Sequence, residues 1–201
     1  MQDNQIQHAI NEPVGESRAA PRQKLLLRTG KLVSEERELI CVVRDVSATG
    51  LKVKLFQPIP QITNCELEFA NGSKFPICKV WEEGGHAGFT FTEDVDLSEI
   101  LSLSFDSFPK RSLRINIGFN ARISAGRSAV GAQLLNISQH GICIACDEEL
   151  PKSEKLFIRC GDLPALNGHL RWSRSGLYGI MLSQPLSLED LAKFSAETGK
   201  N

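Results

Sequence analysis

The chain has 201 residues, long for one all-β domain and comfortable for two domains of about 90 residues each. With 41% hydrophobic and 23% charged residues and a net charge of -1, its composition excludes disordered, collagen-like and coiled-coil classes and implies no strongly basic or acidic partner overall. Basic and acidic residues number 11 and 15 up to residue 104, and 12 and 9 from Phe105 onward, so any anion site is local.

Residues 1–16 are polar and aperiodic, and are expected to form a disordered N-terminal tail. They lack the basic start and apolar core of a signal peptide, and no apolar run approaches the roughly 18 residues of a membrane helix. The expectation is a cytoplasmic protein that does not span a membrane. The alternating segments KLLLRTGKLV, ELICVVRDVS, GLKVKLF, CELEFA, FPICKVWEE and HAGFTFTE then predict six short strands. A short helix follows, with Asp96 as N-cap and Glu99 three residues later. Six more strands are predicted over RINIGFNARI, GAQLLNIS, GICIACDE, KLFIRCG, NGHLRWSR and LYGIMLS, and a last helix opens at Ser187 with Asp190 three residues on. Six antiparallel strands per unit suggest a closed barrel. The predicted fold is therefore mainly β: two tandem six-stranded antiparallel barrels, each followed by a short C-terminal α-helix. The units are placed at residues 17–104 and 105–201.

The two units repeat one another. At an offset of 91, Asp45, Ser47 and Gly50 fall on Asn136, Ser138 and Gly141, Trp81 falls on Trp172, and Gly88 falls on Gly179. Upstream the offset becomes 92, which places Arg22 on Arg114, Leu25 on Ile117 and Leu27 on Phe119. This implies one residue inserted between the first strand and the serine loop.

The six cysteines include the pair Cys143 and Cys146, but GICIACD reads as a strand that points them to opposite faces. No second pair or nearby histidine completes a tetrahedral site, so no metal is expected. The four histidines are scattered singly and are assigned no role. Trp81 and Trp172 sit in alternating strands and read as core or rim anchors rather than base-stacking platforms.

Two polar clusters in each unit carry the chemistry. In the first, Arg18 and Arg22 precede the first strand, and Asp45, Ser47 and Gly50 lie between the second and third. An arginine fork engages phosphate, or the O6 and N7 edge of guanine, bidentately, and its plane stacks on a base. A carboxylate accepts from guanine's N1–H and amine, a serine hydroxyl donates to phosphate or base, and glycine admits close backbone approach. In the second unit the cluster is Lys110, Arg111 and Arg114 with Asn136, Ser138 and Gly141. Asp, Asn, Ser and Gly are also what a tight turn favours, and paired arginines are often a solvated edge. Their joint recurrence at the same places in both units is what points to a ligand.

These residues resemble the PilZ domains, marked by RxxxR before the first strand and [D/N]xSxxG in the following loop. The resemblance covers about residues 16–104 and again about 107–198. It implies a cyclic di-GMP receptor: Arg18 and Arg22 would clamp phosphates and guanines while Asp45, Ser47 and Gly50 hold a guanine from the other side. The second unit has Lys110 where the family has its first arginine. Lysine keeps the charge but loses the fork, so the first unit is expected to bind more tightly.

No nucleophile and base pairing, paired acids or metal set repeats between the units, so no catalytic residues and no cofactor beyond the ligand are expected; the resemblance implies an unidentified protein partner in motility, exopolysaccharide or biofilm control. A homodimer is allowed, and DNA or RNA is not expected, because no basic, aromatic-rich strand face is present. The rival reading is a PilZ fold that takes no nucleotide and serves as an adaptor or dimerisation module.

Overall fold

The computed structural model describes residues 23–59, 61–102, 112–152 and 154–197. The first barrel is built from β1 (Gln23–Val33), β2 (Glu38–Ser47), β3 (Gly50–Leu55), β4 (Asn64–Phe69), β5 (Lys74–Glu83) and β6 (His86–Phe91). They close in the order β1-β2-β3-β6-β5-β4, with every pairing antiparallel and β4 returning to β1. The short helix α1 (Leu97–Ser102) follows. The second barrel comprises β7 (Ile115–Ala125), β8 (Ser128–Ile137), β9 (Gly141–Ala145), β10 (Leu156–Arg159), β11 (Leu166–Arg174) and β12 (Leu177–Leu182). It closes in the same order and ends in α2 (Leu188–Glu197).

Alternation builds both interiors. In β3, Leu51, Val53 and Leu55 are buried among Leu32, Leu67, Ile77 and Phe89, while Lys52 and Lys54 point outward. Ile115, Ile117, Ile144, Ile158 and Ile180 fill the second barrel in the same way. Closure leaves no open sheet edge for another chain to extend.

The helix starts follow their capping residues. The Asp96 carboxylate accepts the Ser98 N–H at 2.8 Å; the Glu99 side chain lies outside those described. Ser187 Oγ accepts the Asp190 N–H at 3.0 Å and donates to the Asp190 carboxylate at 2.6 Å, a closed capping pair.

The register locates the offset change differently from the sequence comparison. Lys24 pairs with Asp45 and Arg28 with Val43, whereas Asn116 pairs with Asn136 and Phe119 with Leu134. Three residues of β1 therefore span a bulge that two residues of β7 span. The extra residue lies inside the first strand, and Arg28, not Leu27, is the counterpart of Phe119.

The strand β2 departs furthest from alternation. In β2, every residue from Glu38 to Val43 is buried. Its inner side chains belong to the first barrel, but Ile40, 1% exposed, packs into the core of the second. The helix α2 lies against β2, and Ala196 on that helix packs against the first core.

Candidate functional site

In both units the second strand bulges just before the serine loop. The pairing of β2 with β1 and with β3 slips at Arg44, and that of β8 slips at Leu135. Without a bulge, Asp45 would follow Val43 into the core. With it, Val46 takes the inward place and Asp45 turns out; Ile137 and Asn136 do the same in the second barrel. A bulge of this kind re-aims one side chain without ending the strand.

The outward position opens a row of cross-strand neighbours. Asp45 is opposite Lys52, Lys52 opposite Gly88, and Gly88 opposite Trp81. The second barrel repeats it as Asn136, Cys143, Gly179 and Trp172. Directly opposed residues share a face, so each tryptophan stands on the same outer surface as the acidic or amide residue of the loop. A Cβ on Gly88 or Gly179 would come within 2.0 Å of the indole Nε1 of Trp81 or Trp172. Each ring thus lies on a bare glycine backbone. The rings remain 38% and 43% exposed, and Lys52 Nζ sits 5.8 Å from the Trp81 ring. The sequence had read these tryptophans only as anchors. The signal for their placement was the shared Trp and Gly spacing of both repeats.

The serines and glycines of the loops are engaged locally. Ser47 Oγ donates to the Gly50 carbonyl at 3.1 Å, and Ser138 Oγ to that of Gly141 at 3.0 Å. The Gly141 N–H returns a bond to Ser138 Oγ at 3.2 Å. Both serines are buried, so each hydroxyl spends its proton inside the turn. A Cβ at Gly50 would lie 2.3 Å from the Phe89 carbonyl oxygen of the neighbouring strand. Glycine at this place is therefore required by strand packing.

Arg18, Arg22, Lys110 and Arg111 lie outside the described residues. Arg114 is described, and its guanidinium donates to Asn136 Oδ1 at 3.5 Å. Its charge also acts on Cys143: burial pushes that thiol's pKa up, and the Arg114 charge pulls it part of the way back. Ser112 Oγ and His140 Nδ1 are 2.7 Å apart, so a histidine given no role by the sequence ties the lead-in segment to the serine loop. The structure thus gathers Arg114, Asn136, Cys143 and Trp172 on one outer surface, with Ser138 and Gly141 shaping the loop beneath it. Among the described residues, no group of three His, Cys, Asp or Glu side chains converges, and no helix is long and apolar enough to cross a membrane.

A family model described as PilZ domain matches residues 108–197. The second barrel is a PilZ domain. Its strand order is that of the first barrel, and the two are arranged in tandem. Among solved structures, the chain is similar to the Borreliella burgdorferi PlzA protein in complex with c-di-GMP, at 12% identity and a TM-score of 0.36, over 86% of this chain and 92% of that one. It is also similar to the Bacillus subtilis inhibitor of motility MotI/DgrA, at 11% identity and a TM-score of 0.35, over 87% and 97%. A third similarity is to Escherichia coli YcgR in complex with c-di-GMP, at 12% identity and a TM-score of 0.28, over 85% and 84%. No protein of curated function matches the chain in sequence. The assignment rests on the sequence match over the second barrel.

Proposed function

We propose that the chain is a cytoplasmic cyclic di-GMP receptor that performs no chemistry and passes ligand occupancy to a protein partner in motility, exopolysaccharide or biofilm control. The observation that carries this reading is the meeting of Arg114 with Asn136 on the outer face of a PilZ barrel. A guanidinium supplies a planar, charged fork for phosphate or for the acceptor edge of guanine. The Asn136 amide offers N–H donors and a carbonyl acceptor beside it, and the Trp172 ring lies over Gly179, two strands away along the same row. The first barrel places Asp45 in the corresponding position, and Arg18 and Arg22 are its basic pair. The proposed contacts are Arg18, Arg22, Asp45, Ser47 and Gly50 in the first unit, and Lys110, Arg111, Arg114, Asn136, Ser138 and Gly141 in the second. Ser47, Ser138 and the two glycines act by shaping the loop.

Ligand capture would order the lead-in segments against the barrels and shift the balance between conformations that a partner reads. The test is equilibrium binding of labelled cyclic di-GMP to the wild type, Arg22→Ala and Arg114→Ala. Each substitution is expected to remove or strongly weaken one site, and undiminished binding by both variants would overturn the proposal.

A second reading, an adaptor that binds protein only, is favoured at the second barrel by Lys110 in place of arginine and by the turn-bound Ser138 hydroxyl. The same titration separates the two readings, since an adaptor shows no saturable nucleotide binding.

A further inference from the structure

We infer that the first barrel sets the affinity of the second: Lys31 and Glu38 are positioning residues for the Arg114 segment, acting from across the interface between the barrels. The inference rests on the nucleotide-binding reading of the second barrel and adds how that site is controlled.

Lys31 on β1 and Glu38 on β2 are 3% and 6% exposed. They face outward from their own barrel, since their neighbours Leu32 and Leu39 point into its core. Their partners across the interface are the backbone groups that flank the arginine. Lys31 Nζ donates to Glu38 Oε2 at 3.0 Å and to the Arg114 carbonyl at 3.1 Å. The Glu38 carboxylate accepts the Asn116 N–H at 2.9 Å through one oxygen and Asn116 Nδ2 at 3.0 Å through the other. Glu68, 3.4 Å from Lys31, holds the lysine from its far side.

The segment 114–116 is therefore gripped at a carbonyl and an amide by a buried ion pair that belongs to the other unit. Arg114 just precedes β7 and Asn116 lies two residues on, so in extended chain they point to the same face, with Leu113, Ile115 and Ile117 buried on the other. Fixing the backbone on both sides of Ile115 limits where the Arg114 guanidinium can reach. What it reaches is Asn136. Charge-assisted bonds from desolvated groups are the strong ones, and losing one partner leaves the other buried without compensation. Lys31 and Glu38 belong to the first barrel, and the Arg114 carbonyl and Asn116 that they hold belong to the second. The control runs from the first barrel to the second.

Trp81 and Trp172 are the chain's 2 tryptophans, one per barrel, which lets each site be read separately. In a Trp81→Phe background of the full chain, cyclic di-GMP is titrated against Trp172 emission; in a Trp172→Phe background, against Trp81 emission. Glu38→Ala is expected to weaken binding read at Trp172 about tenfold and to leave binding read at Trp81 unchanged, although the substitution lies in the first barrel. Asn116→Ala, a milder change that removes only the Nδ2 bond, is expected to act at the same site with a smaller effect. Without ligand, amide exchange at Asn116 is expected to accelerate in Glu38→Ala.

Unchanged Asn116 exchange overturns the inference, as does equal loss at both tryptophans, which would mark Glu38 as merely structural. Unchanged Trp172-read affinity in a wild type that binds also overturns it and leaves the receptor reading intact. Absence of binding by the wild type removes both.

Discussion

The Glu38 carboxylate on the first barrel accepts two hydrogen bonds from Asn116 on the second, one from its backbone and one from its side chain. Burial alone would push this carboxyl's pKa up, but the bonds from Asn116 and then Lys31 outweigh it and hold the group below its ordinary value of 4.5. A carboxyl depressed in the folded state contributes stability that is fully present above its unfolded pKa and is lost as pH falls through the folded one. The contact is expected to hold at neutral pH and to weaken below about pH 4.5. Glu82 and Asp96 are also depressed, so the whole protein loses stability in acid and a comparison is needed. In thermal melts, wild type is expected to exceed Glu38→Gln at pH 7, with the gap closing as the solution is acidified. A gap independent of pH would show that the carboxylate charge is not what the interface uses.

The glycines divide into those that packing requires and those it does not. Gly50→Ala would drive a methyl into the Phe89 carbonyl at 2.3 Å, against backbone that cannot rotate away. The expected cost is about 3 kcal/mol or more, enough to separate β3 from β6. Gly131, in β8, has nothing within 4 Å of a built Cβ and no positive φ. Gly131→Ala is expected to be neutral or stabilising by about 0.5 kcal/mol, by reducing the freedom of the unfolded chain. Urea denaturation of the two variants checks both directions.

The barrels were legible because strands such as β3 alternate cleanly, as in Leu51, Val53 and Leu55, and because the units repeat. The Asp45 and Asn136 loops were legible as motifs. Their outward aim was not, since it depends on bulges at Arg44 and Leu135 that ordinary strand residues form without a marker. The pairing of Lys31 with the Arg114 carbonyl and of Glu38 with Asn116 was invisible for another reason: it joins residues 78 or more apart in different units. One signal was present. The run Leu39–Val43 is apolar throughout, where a barrel strand with one wet face would alternate, and the interface lies there.

The loop serines are expected to matter for stability before they matter for binding. Ser138 Oγ donates to one backbone group and accepts from another within the turn. Ser138→Ala leaves the Gly141 N–H short of a partner, at a cost of about 1 kcal/mol. Ser47→Ala is expected to cost a similar amount. Chemical denaturation measures this, and titration with cyclic di-GMP under conditions where the variants stay folded is expected to show a smaller loss than Arg114→Ala gives. If Ser138→Ala abolished binding while leaving stability unchanged, its hydroxyl would be a ligand contact and not a turn clasp.

The two sites differ most at one basic position, Arg18 in the first unit against Lys110 in the second. Lysine presents a point charge where arginine presents a fork and a stacking plane, and a bidentate contact to guanine discriminates by about 1–3 kcal/mol. The first site is therefore expected to fill at lower cyclic di-GMP concentration, giving two resolved steps by calorimetry on the full chain. Lys110→Arg is expected to draw the steps together by strengthening the second about tenfold, the lower part of that range. Arg18→Lys is expected to do so by weakening the first. The reciprocal pair separates side-chain chemistry from barrel context: if Lys110→Arg changes nothing while Arg18→Lys weakens binding, the second site is limited elsewhere. The candidate is then the backbone grip of Lys31 and Glu38 on the Arg114 segment, which the tryptophan-resolved titration of Glu38→Ala addresses directly.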